Sequence, residues 1–195
     1  MKTLMSPSGP GSVSPFSAPP LVVGPFRLAD PGRRPPAMRA LDGLPGIGDR
    51  LRVAAFAELQ ARDAFQWAAD ALAGDSVVLR KAWLALARAE DRHLGWLLDR
   101  MDALSLDVRG RPVSPELYGA LTSSTSVVDF AGLMASAEER GRVAGERFET
   151  RLRDVDPTTA ALFGQIAREE AAHIRLAERL LRGDEVFFTD DSDLL

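Results

Sequence analysis

The 195-residue chain has no cysteine, only two histidines and a single tyrosine. Without cysteine there is no disulfide framework, no thiolate zinc site and no Cys-ligated iron centre on this polypeptide, so any electron-transfer partner must be a separate protein. Long apolar runs are missing too. A membrane span needs about 18 uninterrupted apolar residues, and here charges break every apolar stretch at helical intervals. The first 26 residues also lack the apolar core of about 7 to 15 residues that a signal peptide requires, which reads as an intracellular, cytoplasmic protein. Nor is there an excess of basic residues. The formal net charge of -4 speaks against a broad nucleic-acid footprint, which needs clustered Lys and Arg to neutralise phosphates.

What is present is enough apolar content, 46%, for one domain with a real core. Residues 1–45 are rich in Pro, Gly and Ser and carry no sustained periodicity, as expected of a flexible leader. The pattern then becomes helical, and residues 46–183 read as an all-α four-helix bundle. Pro45-Gly46-Ile47-Gly48 reads as a turn and Asp49 as the N-cap of a helix over about 50–73, ended by Gly74. A second helix follows over about 76–104, capped by Asp75 or Ser76. Residues 105–125 are too long for a hairpin turn and suit a crossover along the bundle. Ser126 with Asp129 resembles a capping box opening a third helix to about Asp154. Asp156-Pro157 starts a fourth that Gly183 closes. Residues 184–195 form an acidic tail around Phe187 and Phe188, read either as disordered or as a strap docked by those rings.

An internal repeat fixes the register. An ungapped shift of 80 residues places Glu58 on Glu138, Glu90 on Glu170 and His93 on His173, along with Arg62 on Arg142 and Ala64 on Ala144. All six acidic and histidine positions fall on the stripe that faces the core, at alternating spacings of three and four. Glu139 and Glu169 sit about 100° round their helices from their neighbours and read as solvated or as supporting groups. Trp67, Trp83 and Trp96 read as core or partly exposed packing. Arg62, Arg88, Arg142 and Arg168 read as solvated charges flanking the bundle.

Burying four carboxylates in one bundle costs several kcal/mol each, in order of magnitude, unless something compensates. Two divalent cations would do so, leaving a nearly neutral site with neutral imidazoles. In a Glu-x-x-His unit the two side chains share one helix face and can reach one metal ion. Both histidines of the chain stand three residues after a glutamate. A single such unit is weak evidence, whereas a doubled one with two further matched glutamates is specific.

This order of Glu, Glu-x-x-His, Glu, Glu-x-x-His over about residues 50–182 resembles the ferritin-like di-iron carboxylate superfamily. Its members include bacterioferritins, rubrerythrins, di-iron tRNA hydroxylases and uncharacterised bacterial ferritin-like proteins. The resemblance implies a ferritin-like four-helix bundle with a long crossover between helices two and three, and two iron ions, with manganese or a mixed iron and manganese pair as alternatives. It implies metal ligation by Glu58, Glu90, His93, Glu138, Glu170 and His173, with Glu90 and Glu170 between the metals and Glu58 and Glu138 terminal. The chain departs from rubrerythrins in lacking a Cys-rich rubredoxin module, and from compact storage ferritins in its Pro-rich leader.

The chemistry expected is that of an oxidoreductase of the oxidase or hydroxylase type, using O2 or peroxide on an unidentified small-molecule substrate, with a separate electron donor if it is an oxygenase. The alternative is a ferroxidase or iron-storage subunit of a homo-oligomer, handling iron and O2. Small residues near the ligands (Ala54, Ala61, Gly141, Ala144, Gly145) would leave room for a substrate and so tilt the reading to the enzyme, although close helix packing explains them equally well. The register has its own test. Glu138→Ala should lower metal occupancy sharply, while Glu139→Ala should change metal affinity by less than about the 10- to 100-fold typical of lost supporting groups. Metal analysis of the two variants reads the difference.

Overall fold

The computed structural model describes residues 16–182, and over them the chain is all-helical. Four long helices form the bundle: α1 (Leu44–Ala71), α2 (Val77–Ala103), α4 (Val127–Leu152) and α5 (Pro157–Arg182). A short helix, α3 (Glu116–Thr122), lies within the crossover between α2 and α4. Helices α1 and α2 pack as one antiparallel hairpin, α4 and α5 as the other.

Three of the four starts follow the capping chemistry of the sequence. The Ser76 hydroxyl accepts from the Leu79 amide, Ser126 from the Asp129 amide, and Asp156 from the Thr159 amide at 3.0 Å; each satisfies an amide that the first helical turn leaves free. Gly74 takes φ +52 after α1, a conformation that disfavours other residues. The expected closing glycine, Gly183, and the acidic tail lie outside the described residues, as do residues 1–15.

The start of α1 differs from expectation. The helix opens at Leu44, with Gly43 as an extended N-cap and Pro45 inside the first turn, where its missing N–H costs nothing. Pro45-Gly46 is therefore helix rather than turn. Gly46 is required by packing, since a Cβ there would lie 1.6 Å from the Ala40 carbonyl oxygen. Asp49, expected as an N-cap, is instead buried within the helix and tied to three arginines. Arg39 donates to it at 2.6 and 3.0 Å, Arg111 at 3.0 Å and Arg52 at 3.4 Å.

Those arginines belong to the N-terminal segment, α1 and the crossover, so a single acid ties all three together. Residues 16–43, expected to be flexible, accordingly lie against the bundle. Phe26 is buried against Phe56 with ring centroids 5.0 Å apart, Tyr118 Oη donates to the Pro19 carbonyl, and Leu28 pairs with Val113 as an isolated parallel bridge. The proline content had suggested a chain unable to bury apolar surface, but Leu21, Phe26 and Leu28 provide what docking needs.

The apolar core falls into two clusters. One gathers Phe65, Trp83, Phe130 and Met134; the other gathers Phe26, Leu51, Phe56, Leu97, Met101 and Phe163. The polar groups described below lie at the level of the bundle between them.

Burial opposes the charge on Asp49, but the Arg39 side chain and amide, with Arg111, bring its carboxyl down to about 2. An acid whose folded pKa is depressed contributes stability that is present above its unfolded pKa and lost as pH falls through the folded one. Between about pH 4 and pH 2 the protein should lose about 2 kcal/mol from this group. Denaturant titrations across that range should show a correspondingly smaller loss in Asp49→Asn.

Candidate metal centre

Helix periodicity sets each polar group facing the middle of the bundle. Glu58 comes from α1, Glu90 and His93 from α2, Glu138 from α4, and Glu170 and His173 from α5. Glu90, His93 and His173 have no exposed surface and Glu170 almost none, while Glu138 is 8% exposed and the Glu58 side chain 13%.

The six side chains meet in two overlapping groups: Glu58, Glu90, His93 and Glu170 in one, and Glu90, Glu138, Glu170 and His173 in the other. Within each, one candidate ligand atom per residue lies within 4.8 Å of the rest. His93 Nδ1 is 3.5 Å from Glu90 Oε2, 3.3 Å from Glu170 Oε1 and 3.9 Å from Glu58 Oε2. His173 Nδ1 is 3.0 Å from Glu90 Oε1, 3.3 Å from Glu170 Oε2 and 3.9 Å from Glu138 Oε2. Glu90 and Glu170 therefore turn one oxygen to each imidazole, whereas Glu58 and Glu138 each face only one. The arrangement follows the 80-residue repeat.

Such crowding of carboxylates calls for positive charge. Burial opposes protonation of His93, yet the facing Glu169, Glu170 and Glu90 carboxylates push its pKa up to about 12. His173 is likewise disfavoured by burial but carried up to about 10, chiefly by Glu90. Burial and the charge of Glu90 hold the Glu58 carboxyl well above the usual range, while Glu90 itself, despite its burial, is held well below by His173.

The residues also pass a direct test of fit to metal. Both Glu90 oxygens, Glu170 Oε2 and the Nδ1 atoms of both imidazoles are buried without a hydrogen-bond partner. Buried polar atoms are ordinarily paired, and these, converging from α2 and α5, would offer lone pairs to a cation that displaces the Nδ1 protons. Carboxylate and imidazole donors suit iron, manganese or zinc.

Glu138 and its neighbour separate cleanly. Glu139 is exposed and pairs with Arg142 at 2.7 Å, so it stands outside the cluster. Glu169 acts as a support: its Oε2 lies 2.9 Å from His93 Nε2 and 3.3 Å from Arg92. With Nδ1 directed at the carboxylates, this contact favours Nε2 as the nitrogen that keeps its proton when Nδ1 gives up its own. The repeat could not reveal it, because the residue matching Glu169 is Ala89 and His173 Nε2 has no partner.

Trp67 and Trp83 belong to an aromatic cluster with Phe65 and Phe130. Trp96 lies closer to the site, with its ring centroid 5.5 Å from that of His93. Arg62 pairs with Asp63 and Asp91, and Arg142 with Glu139 and Glu146, so neither touches the six.

Between α1 and α4 a cavity of about 360 Å³ reaches the site, with Glu58 and Glu170 in its wall. Ala54, Gly141, Ala144 and Gly145, singled out for their small size, line it. Gly145 also serves close packing, because a Cβ there would lie 3.0 Å from Ala167. Ala61 is buried in the other half of the core and does not contribute.

No match was found among curated proteins or among solved structures. The family model for Rubrerythrin, by contrast, matches residues 49–181, a span that holds all six converging side chains and about two thirds of the chain. The chain belongs to the rubrerythrin family, a helical-bundle branch of the ferritin-like di-iron carboxylate superfamily.

Proposed function

We propose that the protein is a di-iron carboxylate oxidoreductase that uses O2 or peroxide to oxidise a small organic molecule. The observation that carries this reading is the cavity against Glu58 and Glu170, whose remaining wall is mostly apolar. A storage or ferroxidase subunit would need an acidic approach for cations. The surface opening beside this cavity is instead bordered by Arg50, Arg140, Arg147 and Arg151, which repel them.

In this reading Glu90 and Glu170, which face both imidazoles, would serve both metal ions, with Glu58 and His93 completing one set of ligands and Glu138 and His173 the other. A bound iron pair supplies the redox equivalents for reduction of O2 or peroxide. The chain's own groups arrange and insulate. Glu169 orients His93 by accepting its Nε2 proton in a hydrogen bond. The two apolar clusters limit water around the ligands, so each carboxylate acts in a low dielectric. Because the chain has no cysteine, electrons for repeated turnover come from a separate donor protein. Location in the cytoplasm is part of the proposal. Among the described residues no helix is long and apolar enough to cross a membrane.

The purified protein should take up close to two metal ions per chain when titrated anaerobically with Fe(II), and air should then develop near-ultraviolet Fe(III) absorption. A chain that binds no iron, manganese or zinc would sink the proposal. Replacing both Glu90 and Glu170 by Ala should abolish uptake while helical circular dichroism persists, since the variant buries two fewer carboxylates. Glu169→Ala should weaken metal affinity about 10- to 100-fold. That loss should fall on one of the two ions, giving a biphasic titration, because only His93 loses its support.

A further inference from the structure

The two flanks of the metal centre are related by the repeat but filled differently. On one flank Phe65, Phe130, Met134 and Trp83 close the core. The matching positions on the other are Gly145, Arg50, Ala54 and Phe163. Three bulky apolar side chains are thus replaced by a hydrogen, a methyl and a guanidinium, and Gly145, Ala54 and Arg50 all line the cavity beside Glu58 and Glu170.

Its chemistry changes from wall to mouth. The lining includes α4 residues from Ala137 to Phe148, about 16 Å apart at 1.5 Å per residue. Glu58 and Glu170 stand in its wall, and Glu170 Oε2 has no hydrogen-bond partner. Toward the surface the cavity shares Met38, Arg50, Arg140, Ala144 and Phe148 with a surface depression to which Arg147 and Arg151 also belong. The lone acid there, Glu139, is already paired with Arg142. Among the described residues Arg140, Arg147 and Arg151 have no acidic partner, and Arg50 Nε is buried without a hydrogen bond. Concentrating unpaired guanidinium groups at one mouth is electrostatically unfavourable unless an anion visits it.

We propose that this cavity is the substrate site, and that it takes an elongated amphiphilic anion: an apolar body toward Glu58 and Glu170, and a carboxylate or phosphate head on Arg140, Arg147 and their neighbours. With about 30 Å³ for each water-sized group, 360 Å³ holds about a dozen methylene-sized units. The inference rests on the oxidoreductase reading only in calling the occupant a substrate; the cavity and its arginines stand without any metal.

The experiment is calorimetric titration of the full chain, both without added metal and loaded with zinc, using decanoate, decanol and decylamine below their aggregation concentrations. Decanoate should bind with one-to-one stoichiometry, at least tenfold tighter than decanol, and decylamine weakest. The double variant Arg140→Glu/Arg147→Glu should weaken decanoate at least tenfold while leaving decanol within about twofold. Gly141→Phe should abolish both interactions, since nothing lies within 4 Å of a Cβ at that position and the ring can occupy the cavity without displacing backbone. Decyl phosphate binding in place of decanoate would support the site and assign the head as phosphate.

Wild-type protein that binds neither anion, or binds decanol as tightly as the anions, would overturn the inference. So would a charge-reversed variant, folded by circular dichroism, that binds decanoate normally. Metal uptake measured on the same samples separates the two readings. Anion binding with no metal uptake would remove the oxidoreductase while supporting the site, and two metals with no anion binding would do the reverse.

Discussion

Four carboxylates inside one helical bundle are the constraint on which the rest of this structure depends. Each is costly to bury alone, and the cost grows when they approach one another. The chain answers by interleaving two imidazoles between them, so that Glu90 and Glu170 each face both histidines. The apolar clusters beside this band then do more than stabilise the bundle. By limiting water they raise the cost of any uncompensated charge, and so the affinity for a cation that cancels it. A helical bundle suits the task, because backbone hydrogen bonds are satisfied within each helix and the side chains are free to specify the centre.

The site was legible in the sequence because few sequences place their only two histidines three residues after glutamates and repeat the pattern at a fixed interval. Helix periodicity turned those spacings into one face, and the choice of Glu138 over Glu139 followed from register alone. Glu169 was legible only as one of two readings, solvated or supporting. Its contact with His93 depends on the rotation of α2 against α5, a tertiary quantity, and nothing in the repeat marks it.

The fold was legible where polar capping residues announce helices, at Ser76, Ser126 and Asp156. It was not at α1, where a glycine without a side-chain cap opens the helix and the apparent signals, Pro45-Gly46 and Asp49, serve packing and charge instead. Composition misled over residues 16–43 for a related reason. Proline content describes how little secondary structure a segment can form, whereas docking depends on a few residues such as Phe26 and on the arginines that reach Asp49. The short α3 escaped notice because two turns of helix stabilised by tertiary contacts, here Gln60 accepting from the Tyr118 amide, carry almost no periodic signal.

The departures from the repeat fall together. Glu169 supports His93 and has no counterpart for His173, Trp96 stands beside His93, and the cavity wall contains Glu58, which groups with His93, but not Glu138. Had the two halves diverged by neutral drift, these changes should be scattered over both sides of the centre. Their concentration on one side instead couples the half with the fixed imidazole to the half with space beside it. An imidazole held by a carboxylate is a more basic donor with less freedom to rotate, and under the proposed function it would stand beside the carboxylate whose wall admits the substrate. The symmetry that pairs the charges sets the centre, and the breaking of that symmetry gives it a front.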